Sequence, residues 1–163
     1  MRKIAFLTLA LIATALADDW PRWMGEKADS TWREVGIRKD LPKKGAKVLW
    51  RTPVGWGYSG PSVAEGLVFL PEYVRTEGEL INNPGKAVAW KGSERLRALD
   101  VNTGKEKWVY EQPLDYLLSY PGGPRSTPTV ADGRVYFLGA MGHLSCLDAP
   151  SGKLLWKRDF QKD

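Results

Sequence analysis

One pattern occurs twice in this chain, and it constrains the fold more than any other feature. "ALDVNTGKEKW" runs from Ala98 to Trp108, and "CLDAPSGKLLW" runs from Cys146 to Trp156, 48 residues further on. Each copy has a small residue, Leu-Asp, two residues, a hydroxyl residue, Gly-Lys, two residues and Trp. The residues before each copy also align: "GPSVAEGLVFL", Gly60 to Leu70, matches "STPTVADGRVYFL", Ser126 to Leu138. A third piece, "KVLWRTPV" from Lys47 to Val54, matches only the end of the unit and carries Trp50. Self-similarity at such a period is the signature of a repeat architecture, in which each unit buries its apolar face against the next.

The second copy gives the structure of one unit. "PTV" reads as a short strand, and Asp132-Gly133 as a tight hairpin turn that accepts positive φ. "RVYFLGA" follows as a strand of β-branched and aromatic residues. "MGH" is a second turn, "LSCLD" a third strand, "APSG" a longer turn and "KLLWKRDF" the fourth strand. No segment after residue 17 shows helical periodicity, so the predicted class is all-β. Four short antiparallel strands repeated at this spacing are a propeller blade. The first copy is longer than the second by 19 residues between its Pro and its Trp. The excess falls in Pro71 to Glu94, whose Gly, Asn and charged residues predict a surface loop.

The pattern has a physical reading. Asp100 and Asp148 end a strand, where a carboxylate can accept N–H bonds from the turn that follows. Thr103 and Ser151 can add a second local bond. Gly104 and Gly152 permit a backbone conformation that a Cβ resists. Trp108 and Trp156 then stand at a fixed offset on the outer strand, where a flat ring can cover a neighbouring blade. Cys146, the sole Cys, occupies the place of Ala98 and reads as a small core residue rather than a reactive thiol.

These residues resemble the tryptophan-docking repeat of PQQ-type (pyrroloquinoline quinone-type) β-propellers, A-x-D-x-x-T-G-x-x-x-W, over roughly Lys47 to Asp163. The resemblance implies that each Trp stacks between adjacent blades near the Gly of the same motif, binding blade to blade. "DDWPRWMGEKADSTWREVGI", Asp18 to Ile37, resembles the Trp-rich strap that precedes the first blade in secreted members. The family includes quinoprotein dehydrogenases, which hold the quinone and Ca²⁺ on the propeller axis, and outer-membrane assembly lipoproteins, which bind protein segments. The chain departs from the first group in lacking a vicinal Cys pair and any local motif that maps onto its catalytic Asp or calcium ligands. It departs from the second in having no Cys near a cleavage site.

"MRKIAFLTLALIATALA" has two basic residues, an apolar run and a small-x-small ending, the layout of a secretory signal peptide. The expected organisation is therefore a signal peptide over 1–17, a strap over 18–46 and a partial propeller over 47–163. That last part comprises a closing strand, a blade over 60–113 with its insertion at 71–94, and a blade over 126–160. The chain is expected to be exported, periplasmic or extracellular, with no membrane anchor after cleavage. A closed propeller takes about four to eight blades, so the chain is expected to be the N-terminal part of a longer ring. Self-association of the open blades is the other way to cover their faces. The net charge of +5 is scattered among acids, as in Lys105-Glu106-Lys107, and excludes a nucleic-acid patch.

Little else suggests chemistry. His143, the only His, reads as a turn residue without companions at metal-ligand spacing. "LLSYPGGPRSTP", Leu117 to Pro128, leads into the second blade and could present Tyr120 and Arg125 to an anionic ligand. "GWGYSGP", Gly55 to Pro61, occupies the same place one blade earlier. The expected function is a non-catalytic binding or scaffold module whose partners are further blades or another protein. The alternative is the N-terminal part of a PQQ- and calcium-dependent dehydrogenase of alcohols or sugars, with Arg125 and Tyr120 toward the cofactor. No catalytic or metal-ligating residue is assigned.

Overall fold

The structure, a computed structural model, describes residues 18–37, 39–81, 85–119 and 122–163. The signal-peptide segment and Tyr120 lie outside the described residues. Among the described residues nine strands run in chain order: β1 (Ser62–Ala64), β2 (Leu67–Glu77), β3 (Val88–Asp100), β4 (Glu106–Pro113), β5 (Tyr116–Leu118), β6 (Thr129–Ala131), β7 (Arg134–Leu138), β8 (His143–Asp148) and β9 (Leu154–Asp159). No helix occurs among the described residues.

The strands form two antiparallel sheets, ordered β1-β2-β3-β4 and β6-β7-β8-β9, with β5 added to β3. Each is a meander whose neighbours in sequence are neighbours in space, the arrangement of a blade. The repeat is kept to the level of single residues. Phe69 pairs Ala98 and Ala98 pairs Trp108; Tyr136 pairs Cys146 and Cys146 pairs Trp156. A register irregularity follows at the same place in both blades, between Ala98 and Leu99 and between Cys146 and Leu147.

The alternating burial of the strands puts one apolar face of each blade into the seam between them. Phe69, Leu96 and Ala98 of the first blade pack with Val135, Phe137 and Leu147 of the second, all essentially inaccessible. Cys146 is buried and unpaired, as its small-residue position predicts.

Three expectations are corrected. The insertion at 71–94 is not mainly a loop, because β2 extends to Glu77 and β3 begins at Val88. The pairing of β2 with β3 continues from Glu72↔Arg95 to Glu77↔Lys91 and carries the hairpin beyond the blade, and β5 pairs with the extension through Val88, Ala89 and Trp90. The closing-strand segment 47–54 forms no strand, since no neighbouring strand pairs with it among the described residues. His143 is the first residue of β8 rather than part of the turn, and its Nε2 lies 3.6 Å from Asp159 of β9.

The N-terminal residues are tied to the blades by backbone. Trp20 exchanges both hydrogen bonds with Val63, and the amide of Val130 donates to the carbonyl of Pro21 at 2.8 Å. Beyond that point Trp23, Trp32, Val35, Ile37 and Leu41 are exposed.

Candidate functional site

The repeated turns are built alike. Gly104 N–H donates to the carbonyl of Asp100, and Gly152 N–H to that of Asp148, each at 2.8 Å. The Asp100 carboxylate accepts from the amides of Asn102 and Thr103 and from the Thr103 hydroxyl. The Asp148 carboxylate accepts from the amide and the hydroxyl of Ser151. These bonds favour the charged form. The Thr103 hydroxyl, followed by the Lys107 ammonium, holds Asp100 below the ordinary carboxylate range, and the Ser151 hydroxyl and amide do so for Asp148. Both acids are thus committed to their own turns.

Each turn receives a Trp from the preceding unit. The Trp108 indole N–H donates to the carbonyl of Ala149 at 3.0 Å, and its ring covers Gly152, where a Cβ would stand 2.5 Å from a ring carbon. Trp50 repeats this on the first blade: its N–H donates to Val101 at 2.9 Å, and its ring leaves the same 2.5 Å over Gly104. Both glycines have positive φ, 68° and 71°, so conformation and space each select Gly. Trp156 has no such partner among the described residues and is 43% exposed.

The other end of the seam holds a buried acid that the repeat does not reveal. Glu94 is fully inaccessible. Its carboxylate accepts from the Tyr116 hydroxyl, from the Gln112 side-chain amide at 2.9 Å, and from the backbone N–H of Ala140 in the second blade at 2.6 Å. Gly139 has no room for a Cβ, which would meet this carboxylate at 1.9 Å. Burial, then the adjacent Glu94 charge, pushes the Tyr116 hydroxyl far above the ordinary tyrosine range. Tyr73 stacks on Tyr116 with centroids 4.0 Å apart and is itself pushed up to about 12, chiefly by burial. Trp90 completes this cluster on the hairpin extension. Glu94 lay inside the segment expected to be a loop, so its position could not be read.

The two loops leading into the blades lie together. The amides of Tyr58 and Ser59 both donate to the carbonyl of Pro124, at 3.0 and 3.3 Å. Gly123 is packed against Trp56 and Gly57, where a Cβ would meet the Trp56 carbonyl at 2.4 Å. This brings Arg125 over the Tyr58 ring, 5.9 Å from its centroid. Tyr58 and Trp56 are both exposed, and Trp56 stands edge-on to Trp90. Arg125 is also exposed and has no acidic partner among the described residues. The aromatic partner of Arg125 in the structure is Tyr58, from the preceding loop.

Two successive four-stranded meanders, face to face and related residue by residue, are propeller blades. A family model described as outer membrane protein assembly factor BamB matches residues 41–162. The chain belongs to that family of PQQ-like propeller repeat proteins. Over 56 residues it is 39% identical to the quinohemoprotein alcohol dehydrogenase ADH-IIG of Pseudomonas putida, covering 34% of this chain and 7% of that protein. Two solved structures are similar. BamB from Moraxella catarrhalis has a TM-score of 0.34 at 21% identity, over 65% of this chain and 34% of its own. A europium-containing methanol dehydrogenase has 0.35 at 16% identity, over 69% and 27%. The chain thus spans a small part of the relatives it matches.

Proposed function

We propose that the protein is an exported, non-catalytic propeller module that holds a protein or polymer partner at its paired inter-blade loops. The observation that carries this reading is the joint presentation of Trp56, Tyr58 and Arg125. Two hydrogen-bonded loops expose an aromatic surface beside a guanidinium that pairs with no acid among the described residues. Aromatic side chains and Arg dominate the energetics of protein recognition surfaces. In this reading the repeated Asp, Thr or Ser, Gly and Trp are architectural. They are the tryptophan-docking motif that joins blade to blade, and Trp156, 43% exposed, is the copy whose ring covers no Gly among the described residues. Export rests on the form of residues 1–17.

The second reading, part of a quinoprotein dehydrogenase, draws on the alcohol dehydrogenase relative and on Arg125, which could hold a carboxylate-bearing quinone. The described residues do not fit the calcium ion that accompanies that quinone. No group of three or more His, Cys, Asp or Glu residues among them could hold a metal, and Asp100 and Asp148 are bonded within their turns. No catalytic step is derived through the group.

Calorimetric titration of the full chain with the quinone and Ca²⁺ decides between the two. The module reading predicts no saturable heat. Saturable binding weakened by Arg125→Ala, with oxidation of alcohols or sugars, would overturn it. A photo-crosslinking side chain at position 58 should give one discrete envelope adduct that Arg125→Ala abolishes.

A further inference from the structure

We infer that the free edges of β1 and β6 form a binding groove for an extended peptide, and that residues Asp18–Pro21 occupy it in cis. This goes beyond the loop surface proposed above and rests on the backbone of β1 and β6 rather than on the loop side chains. β1 and β6 each stand first in their sheets and lie beside one another. Their outward backbone groups would be unpaired without a partner, which makes them templates for an added strand. The N-terminal segment supplies that strand. Trp20 N–H donates to Val63 O at 2.8 Å and Val63 N–H to Trp20 O at 3.0 Å. One residue on, the Pro21 carbonyl accepts from Val130 of the second blade. The Asp19 carboxylate accepts from the backbone N–H of Glu65, at the turn that follows β1.

The grip is mostly backbone. The Trp20 ring packs under Gly25, within the segment itself, where a Cβ would stand 2.9 Å from it. The segment's other large apolar side chains, Trp23 and Trp32, are exposed. Three backbone bonds and one carboxylate cap tie the segment to the blades, and Trp20 is only partly buried. Elements with few buried apolar contacts are the first to open. The ligand class follows from the cis occupant: an extended segment with an acid, then an aromatic residue, then a proline, whose carbonyl meets Val130. Displacement of the cis segment would exchange one extended strand for another.

The test uses the full chain and a labelled peptide, Asp-Asp-Trp-Pro-Arg-Trp, copied from residues 18–23. Trp20→Pro removes the N–H that bonds Val63; Asp19→Ala removes the cap. Amide exchange should rise at least about tenfold at Val63 and Val130 in Trp20→Pro, with β2 and β7 unchanged. The peptide should bind this variant saturably, at least about tenfold more tightly than the parent chain, because the cis competitor is lost. Asp19→Ala should move both readouts the same way by less, and it decides the matter if Trp20→Pro misfolds. Unchanged exchange at Val63, equal peptide binding to parent and variant, or no binding to either variant would overturn the inference.

Discussion

The two blades place the same aromatic row in the same register, yet the rows meet different surroundings. In the first, Phe69 and Trp108 lie 5.9 Å apart at 51°; in the second, Tyr136 and Trp156 lie 6.1 Å apart at 55°. Trp108 is bonded to Ala149 and covers Gly152, whereas Trp156 is 43% exposed. The ring is therefore oriented by its own blade before anything covers it. Trp50 gives the complementary case. It fills the Gly104 socket although its segment forms no strand. The socket is made by the Asp-x-x-Thr/Ser-Gly turn, and the strand carrying the Trp is dispensable to it.

The seam has a second fixed point that the repeat does not share. Glu94 reaches the Ala140 amide across the seam, while the equivalent residue of the second blade is Gly142. Glu94→Ala should have the largest effect, since it strands two buried donors, on Gln112 and Tyr116, and the partly buried Ala140 amide. A loss of about 3–5 kcal/mol in denaturant unfolding is expected, because each unsatisfied buried group costs roughly 1–3 kcal/mol. A loss under about 1 kcal/mol would show that the donors find other acceptors. Trp108→Ala should cost about 3 kcal/mol, at the lower end for a large aromatic because the ring is only partly buried. Trp156→Ala should cost under about 1 kcal/mol, as for other exposed positions. Equal losses would erase the contrast between the two rows.

The smallest effect is on pH dependence. Asp100 and Asp148 titrate below their ordinary value of 3.8 in the folded chain. The stabilisation they bring is present above that value and is lost as pH falls through their lower folded values. Asp148→Asn should lower the melting temperature at neutrality and flatten its fall on acidification, because the stabilisation lost with the charge is the part that acid would have removed. An unchanged acid limb would contradict the turn assignment.

The blades were legible because their strands alternate and their turns use Asp-Gly and Asp-x-x-Thr/Ser-Gly, local signals that tertiary packing did not override. The pairing of Trp with Gly was expected within one motif; in the structure Trp108 covers Gly152 and Trp50 covers Gly104, each the Gly of the following unit, because the ring crosses the seam rather than folding back on its own turn. The Glu94 cluster was not. It depends on Gln112, Tyr116 and Ala140 converging from three places, with no spacing to announce them. The hairpin extension was hidden by composition, because Gly78 and the charged residues around it look like a loop. Arg125 is unmatched by the repeat, and its aromatic neighbour Tyr58 comes from 67 residues earlier in the chain, a proximity that no local spacing announces.

The central claim is that Trp108 and Gly152 act as one contact across the seam. A double-mutant cycle with Trp108→Ala and Gly152→Ala tests it most directly. The added Cβ of Gly152→Ala meets the ring only when the ring is present. The account predicts that Gly152→Ala costs at least about 1 kcal/mol less in the Trp108→Ala background than in the parent chain, leaving only the positive-φ strain. Additive losses, with no coupling between the two positions, would contradict it.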